Sequence, residues 1–454
     1  MKIWRLQSLL NYWKQQTSGS TNRQIFGAAV TVGLFTSSVK LVSIGKELVV
    51  AYRFGTGDNL DAFLIALVVP FFIVTLVAGS FNAALIPSYI QVREQEGTKA
   101  AQRLFSGSTM GSLGLLVMTT ILMVVSAPLY LPRMATGFSP EKLNLTFQLL
   151  CMIAPFVLLN GMITIWSAVL NAGERFAIAA VSPIITPTVS VLLLLVFKPW
   201  GIFALPAGLV CGAFLELVLL ATALHRQGIS LRPRWYGFDT HLRRVAGQYV
   251  PMIAGSFLMC STSLVDQSMA AMFSPGSVAA LNYGNKLIAL PMGLTTSALS
   301  TAVIPYFSKM VACNDWVGLN RTLQHYMRLM FVVTVALTGF LLAFSELIVQ
   351  IIFERGSFTA RDTHLVAHIQ ACFALQIPFY VVGIMIVRVI SSIKANHVLM
   401  YGCAINLIAN IILNYIFMQK MGIAGIALST SCVYAISFSF LFYHWCRFSK
   451  KYSS

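Results

Sequence analysis

The stretch AFLIALVVPFFIVTLVAGSF, residues 62–81, runs for 20 positions without a charged side chain. About 20 apolar residues in a helix are enough to cross the hydrocarbon core of a bilayer. Pro70 lies inside the stretch, and a proline in a membrane helix is tolerated where a cavity or a neighbouring helix satisfies the freed backbone groups. The stretch therefore predicts a membrane-spanning helix with a kink, as transporters use.

The rest of the chain has the same character. Its 454 residues are 57% hydrophobic and 10% charged, with a mean hydropathy of +0.78, whereas soluble domains average about 25% charged residues. Twelve apolar runs are long enough to cross as helices, at roughly 25–50, 62–90, 107–131, 146–170, 177–197, 201–224, 249–273, 279–307, 328–353, 365–391, 397–418 and 422–446. They predict an all-α polytopic membrane protein with short loops, which excludes a large catalytic domain outside the membrane.

Charge in the loops predicts the orientation. The chain has 31 Lys and Arg residues against 14 Asp and Glu. Of the loop cations, 20 fall on the side of the N-terminus and 7 on the other side. Cytoplasmic loops are enriched in Lys and Arg, so we expect both termini in the cytoplasm. The basic excess needs no nucleic-acid partner, because no basic tract is interleaved with aromatic residues.

The sequence divides into five predicted regions, two of which are membrane-spanning lobes. Residues 1–24 form a cytoplasmic segment in which apolar residues at helical spacing favour a short amphipathic helix against membrane lipids. An N-lobe of six helices (25–225) is followed by a basic cytoplasmic linker (226–247), a C-lobe of six helices (248–446) and a cytoplasmic tail (447–454).

The two lobes resemble each other in sequence. Three short matches recur in the same order, 218 to 224 residues apart: Ala84–Pro87 with Ala302–Pro305, Ser167–Ala172 with Ser391–Asn396, and Gly201–Ala204 with Gly422–Gly425. Because six is even, both lobes have the same topology, and the duplication is a parallel repeat. Such repeats place their binding site at the interface between the halves.

Several charged residues lie within the spans, where they are costly and usually face a cavity or a partner. The first span carries Lys40, Lys46 and Glu47, and the second begins with Asp61. In the second lobe, Lys286 and Arg388 lie in spans eight and ten. The excess of cations predicts a cavity that attracts an anionic substrate such as a phosphate or diphosphate. The alternative is that each cation pairs with a carboxylate; Lys40 and Glu47 share a helix face.

The eleventh span carries a polar stripe, because Asn406, Asn410 and Asn414 are spaced by four residues. Their amide oxygens, the carboxylate of Asp266 and the hydroxyl of Ser429 or Thr430 are the kind of ligands that a hard cation such as Na⁺ takes. The alternative is that these side chains only join helices by hydrogen bonds. No other cofactor is expected, and no phosphate-binding loop, dinucleotide motif or nucleophile elbow indicates an enzyme.

Six short motifs along the chain resemble those of one protein family. The motifs are Phe54–Gly57 leading to Asp61–Phe63, Asp266–Ala270, Tyr283–Leu287, Leu290–Leu294, Phe353–Thr359 and Gly422–Ser431. Their order and spacing, over about residues 25 to 446, are similar to those of the MurJ/MviN family of lipid II flippases, within the multidrug/oligosaccharidyl-lipid/polysaccharide exporter superfamily.

The resemblance implies a flippase that moves a polyisoprenyl-diphosphate-linked oligosaccharide across the inner membrane by alternating access. Lys40, Lys46 and Lys286 stand where the family has cavity arginines, and Glu47 and Asp61 match its acidic positions. The family's sodium site falls on Asp266, Asn410, Asn414, Thr430 and the carbonyl of Ile426. The cargo is lipid II or a related exopolysaccharide or O-antigen unit, and the partners are cell-wall or polysaccharide biosynthesis proteins.

Two other functions remain open on sequence. A drug/cation antiporter shares the fold but needs buried carboxylates for cationic substrates, whereas the predicted cavity is net cationic. A membrane glycosyltransferase or polymerase of the same pathway needs a sizeable extracytoplasmic loop with catalytic residues. The longest loop on that side, about 131–146, contains a single carboxylate, Glu141.

Overall fold

A computed structural model describes residues 21–173, 176–229, 231, 237, 239–313, 315–393 and 395–453. The predicted amphipathic segment lies almost entirely outside the described residues, as do positions 230, 232–236 and 238 of the basic linker. The described residues form helices joined by short turns, with no strand among them. This confirms the predicted all-helical class.

Sixteen α-helices follow one another through the described residues. Their bounds are α1 Thr21–Phe54, α2 Asp58–Ile73, α3 Ser80–Glu96, α4 Thr98–Met134, α5 Pro140–Ala172, α6 Phe176–Val181, α7 Ile185–Val196, α8 Ala204–Arg226, α9 Thr240–Ala270, α10 Ser277–Ala312, α11 Trp316–Ala343, α12 Ser345–Phe353, α13 Ala360–Ala374, α14 Ile377–Ser392, α15 Asn396–Met421 and α16 Ile423–Ser453. We refer to α1–α8 as the first half and to α9–α16 as the second half.

Within the described residues, nine helical segments are long and apolar enough to cross a membrane. Three further long helices, α1, α9 and α10, lie where the first, seventh and eighth spans are predicted. The nine segments and these three helices are consistent with twelve crossings, and the exact number of crossings stays a prediction.

The prolines within the spans have different effects. Four residues after Pro70, the helix loosens into a π-helical segment, Val74–Gly79, before α3 continues it. Single π-helical turns inside α-helices are common at functional sites. Pro183 falls in a 3₁₀ turn between α6 and α7, whereas α5 and α9 run unbroken through Pro155 and Pro251. The predicted kinks therefore form at some of the prolines and not at others.

The backbone supports the internal repeat. Gly201 precedes α8 with φ 53° and ψ −130°, and Gly422 precedes α16 with φ 60° and ψ −139°. L-residues with a side chain rarely adopt a positive φ, so glycine is needed at both points. These two glycines begin the third pair of sequence matches, and the last helix of each half thus begins with the same turn.

Successive connections between spans alternate between the two ends of the bundle. At one end, Ser357 donates its backbone N–H to the carbonyl of Tyr52 at 2.8 Å, and Gly137 packs against the backbone of Met272. At the other end, His241 lies 3.1 Å from the carboxylate of Glu96. The connections that are poor in cations therefore meet at one end, and those rich in cations lie at the other.

Cysteine labelling tests which end is outside. In a variant without its native cysteines, we expect Asn59→Cys to react with a membrane-impermeant maleimide in intact spheroplasts and Lys99→Cys to react only after lysis, because cation-rich ends face the cytoplasm. Both positions are exposed. If Lys99→Cys reacts in intact spheroplasts and Asn59→Cys does not, the orientation is the opposite of the predicted one.

Candidate substrate cavity and cation site

A cavity of about 580 Å³ lies between the two halves. Its walls come from α1, α2 and α8 of the first half and from α9 and α10 of the second. Lys46, Glu47 and Lys286 are the charged side chains among its described lining residues. The repeat predicts a site at this interface, and the structure places a cavity there.

One carboxylate holds the two lysines of this cavity. Glu47 lies 2.9 Å from the ammonium of Lys46, and its other oxygen bonds Lys286 from the opposite half. The alternative pairing of Lys40 with Glu47 is not formed; the ammonium of Lys40 instead lies against Gly293 on α10. Because two cations share one anion, the group keeps a net positive charge, which simple one-to-one pairing would have removed.

Apolar side chains make up most of the remaining wall. From α2 and α8 these include Phe63, Leu67, Phe71, Leu205 and Leu209. Apolar surroundings lower the local dielectric constant, so a charge here acts more strongly than it would in water. The cavity can therefore attract an anion to one defined place on its wall.

Asp61, a predicted substrate ligand, is not among the residues that line this cavity. It is 1% exposed, and its two oxygens accept hydrogen bonds from the backbone N–H groups of Gly276 at 2.7 Å and Ala279 at 2.8 Å. Lys142 lies 3.3 Å from the same carboxylate. Asp61 thus fastens α2 to the start of α10, where a helix N-terminus favours negative charge. Arg388, on α14, does not line the cavity either.

Further contacts join the two halves at both ends of the cavity. Thr56 bonds Asp362 near Asp61, at the end poor in cations. Toward the other end, the hydroxyls of Ser80 and Ser256 lie 2.8 Å apart, and Tyr249 donates to the carbonyl of Val77 at 3.2 Å. Rocking of the halves would have to break one of these sets while keeping the other.

The residues predicted to bind sodium meet in the second half. Asp266 accepts hydrogen bonds from the amides of Asn410 at 2.9 Å and Asn414 at 2.7 Å, while Thr430 lies 3.5 Å away. The hydroxyl of Thr430 donates to the carbonyl of Ile426 at 3.1 Å. The structure therefore brings all five predicted ligands together.

The site has the chemistry of a small cation site. Asn410 and Asn414 are buried, and the amide oxygen of Asn414 has no hydrogen-bond partner among the described residues. A buried oxygen without a donor is costly, and a bound Na⁺ would satisfy it. Rotation of the two amides would turn their oxygens toward the same centre as the Asp266 carboxylate, so the residues present fit the ion.

The sequence of this chain matches that of a known protein family over most of its length. The model of the family described as Lipid II flippase MurJ matches residues 50–453. The chain belongs to this family. A probable lipid II flippase MurJ of Synechocystis sp. is 27% identical over 431 residues, covering 91% of this chain and 80% of the relative. Another from Thermotoga maritima is 26% identical over 417 residues, covering 91% and 83%.

Solved structures agree on the fold. The lipid II flippase MurJ in an inward closed conformation superposes with a TM-score of 0.80 at 24% identity, over 91% of this chain and 87% of that one. A multidrug resistance MATE family transporter of the MOP superfamily, inward-facing, superposes with a TM-score of 0.77 at 13% identity, over 94% and 99%. The fold is thus shared by family members and by transporters of other substrates.

Sequence reasoning missed the role of Lys142, which it counted as a loop cation. The structure buries this side chain to 8% exposure, between Asp61 and the more exposed Asp58, with its ammonium 3.7 Å from the ring centroid of Phe138. The pairing joins α5 to α2 across about 80 residues of chain. No local pattern in the sequence indicates so distant a partner.

Replacing Asp61 tests its role as a fastening between the halves. We expect Asp61→Asn to destabilise the folded protein by about 1.5–3 kcal/mol, because the neutral amide has one oxygen for the two backbone donors and leaves Lys142 with the exposed Asp58 as its carboxylate partner. Asp58→Asn is the matched control: Asp58 is 52% exposed, and an exposed pair is worth about 0–1 kcal/mol. Thermal unfolding in detergent measures both variants, and equal effects would contradict the assignment.

Proposed function

We propose that this protein is a flippase that carries a polyisoprenyl-diphosphate-linked oligosaccharide across the bacterial inner membrane by alternating access, with both termini in the cytoplasm. The observation that carries the proposal is the shared ion pair of the central cavity, in which Lys46 and Lys286 from opposite halves meet at Glu47. Named relatives described as lipid II flippases support the same class of substrate.

The ion pair suggests how substrate binding and movement are linked. A diphosphate entering the cavity offers several anionic oxygens to the two lysines, which then have less need of Glu47. Its negative charge bridges the halves more strongly than a single carboxylate does, because each lysine can donate up to three hydrogen bonds. Binding therefore favours a state in which the halves approach one another around the headgroup.

The cargo within this class is lipid II or a related exopolysaccharide or O-antigen unit. A lysine binds phosphate as a point charge, without the two-pronged geometry of the arginines that the family carries at these positions. The diphosphate is common to all these lipids, so the lysines recognise the polyisoprenyl-diphosphate carrier and not the sugar attached to it. Proteins of cell-wall or polysaccharide synthesis that make the lipid are the expected partners.

The cavity charge also weighs against a drug/cation antiporter, although solved transporters of that kind share the fold. Two lysines and one carboxylate repel a cationic drug from the central cavity. A glycosyltransferase is disfavoured because the turn between α4 and α5 spans only residues 135–139, and the family is one of flippases.

We further propose that Na⁺ binds at Asp266 with Asn410, Asn414, Thr430 and the carbonyl of Ile426. Helix α9 connects this site to the central cavity: Asp266 points to one side, while its neighbour Gln267 lines the cavity on the other. An ion that rearranges the hydrogen bonds of Asp266 would shift α9 and hence the cavity wall. Sodium binding is thereby coupled to the substrate site.

Substitution of Lys286 tests the diphosphate proposal. Loss of one charged hydrogen-bonding group costs about 1.5–3 kcal/mol, or roughly a 10- to 150-fold loss of affinity. We expect Lys286→Gln to lose flipping of a fluorescent polyisoprenyl-diphosphate glycan in proteoliposomes by that factor, and Lys286→Arg to retain it because the charge survives.

The matched control is Lys309→Gln, on the same helix at an exposed position. It removes the same charge away from the cavity and should flip as the unmodified protein does. If Lys286→Gln flips the lipid as fast as the unmodified protein, Lys286 is not a diphosphate ligand and the proposed mechanism fails.

Sodium binding is tested by thermal unfolding in NaCl against KCl. A ligand that binds only the folded state stabilises it by about 2.7 kcal/mol at 100 times its Kd, so the melting temperature should rise with Na⁺. Asp266→Asn should abolish the rise because it removes the formal charge of the site, whereas the exposed Asp58→Asn should keep it. A melting temperature of the unmodified protein that is the same in both salts would exclude the sodium site.

A further inference from the structure

A second cavity lies inside the second half, apart from the central one. Its volume is about 330 Å³, and its walls come from α9, α14, α15 and α16. We call it the side chamber. This volume is at the lower end of the range of about 300–1,000 Å³ for small-molecule sites, so the chamber suits a compact ligand and not a lipid-linked glycan.

Helix α9 separates the side chamber from the central cavity. Leu258, Thr262 and Asp266 are spaced by four residues and line the chamber, whereas Ser263 and Gln267 line the central cavity. Residues four apart lie on one face of a helix, so α9 presents a different face to each cavity. Met259 borders both spaces.

The two spaces have opposite charge. Lys46 and Lys286 outnumber Glu47 in the central cavity, whereas Asp266 is the only formally charged side chain among the described residues that line the chamber. An anionic substrate is therefore repelled from the chamber, and a cation is attracted to it. The ligand of the chamber must differ from the cargo of the central cavity.

Hydrogen-bond acceptors on the chamber wall lack donors. The amide nitrogen of Asn406 donates to the hydroxyl of Ser437 at 3.1 Å, while its oxygen is buried and receives no hydrogen bond from the described residues. One oxygen of Asp266 has only the 3.5 Å contact with Thr430, whose single hydroxyl proton goes to Ile426. A ligand with N–H donors would satisfy both acceptors.

Aromatic rings form much of the remaining wall. Tyr380 and Tyr434 meet edge to face with ring centroids 5.3 Å apart, and Phe379 and Phe438 lie 6.2 Å apart. The faces of such rings attract cations and also accept apolar groups. Next to a carboxylate, they make a site for a cation that carries an apolar body.

We propose that the side chamber binds a small amphipathic organic ammonium ion, whose N–H groups bond Asp266 and Asn406 and whose apolar body packs between the tyrosine and phenylalanine rings. The ligand binds as the protonated ammonium ion, and no covalent bond forms or breaks. Because the proposed Na⁺ also uses Asp266, the two cations compete, and binding of the organic ion excludes sodium from the site.

The test uses the full chain in lipid nanodiscs and 2-phenylethylammonium as the probe. Calorimetry in a potassium buffer should show saturable binding, and the uncharged 2-phenylethanol, which has the same shape, should bind at least tenfold more weakly. Sodium chloride should weaken binding of the ammonium ion competitively. Equal binding of the alcohol would mean apolar partition and would overturn the proposal.

Variants separate this site from the sodium site. Tyr434→Leu should weaken binding of the probe about 2- to 30-fold, the range of a cation–π contact, while the stabilisation by Na⁺ stays. Tyr443→Leu, on the same helix with a 61% exposed side chain outside the chamber, should change neither. Phe438→Leu gives a second reading should Tyr434→Leu fold poorly.

Each outcome of these measurements decides between the proposals. Unchanged affinity in both Tyr434→Leu and Phe438→Leu would show that the probe does not occupy the chamber. If the probe binds and Na⁺ has no effect on stability or on probe binding, the sodium site is wrong and the ammonium site stands. Loss of flipping in Lys286→Gln tests the central cavity alone and is independent of both.

Discussion

The cost of burying charge in a membrane determines how this protein is arranged. Each charged side chain within the bundle needs a partner or a polar space, because apolar surroundings do not solvate it. Glu47 meets this need for two lysines at once and leaves the group with a net positive charge. A fully neutralised interior would be more easily formed, but it would offer nothing to an anionic headgroup.

The same constraint gives Asp61 and Asp266 different roles, although both are carboxylates near a helix end or within a span. Asp61 has backbone N–H groups and Lys142 as donors, so its charge is satisfied and it joins the two halves. Asp266 has neutral amides as its donors and no lysine or arginine in an ion pair among the described residues. Asp266 is therefore a carboxylate whose charge a cation could still balance.

Helix α9 lies between the cationic central cavity and the anionic side chamber, and adjacent residues of the helix face the two spaces. Gln267 faces the cationic cavity and Asp266 faces the anionic side chamber. In the proposed mechanism, a change in what Asp266 binds would be transmitted through this helix to the wall of the substrate cavity. The proposed cation site and the substrate cavity would then be coupled across the width of a single helix.

The sequence by itself determined the helical membrane class, the duplicated halves, the family resemblance and the set of residues around Asp266. The membrane class follows from apolar run length and the duplication from short matches at similar offsets. The family resemblance follows from the order of the motifs, and the residues around Asp266 follow from i, i+4 spacing together with that resemblance. Only the tertiary structure decided that Glu47 bonds Lys286 rather than Lys40, and that Asp61 lies outside the cavity beside Lys142. Those pairings join residues of different helices, and helix packing brings together partners that no spacing along the chain encodes.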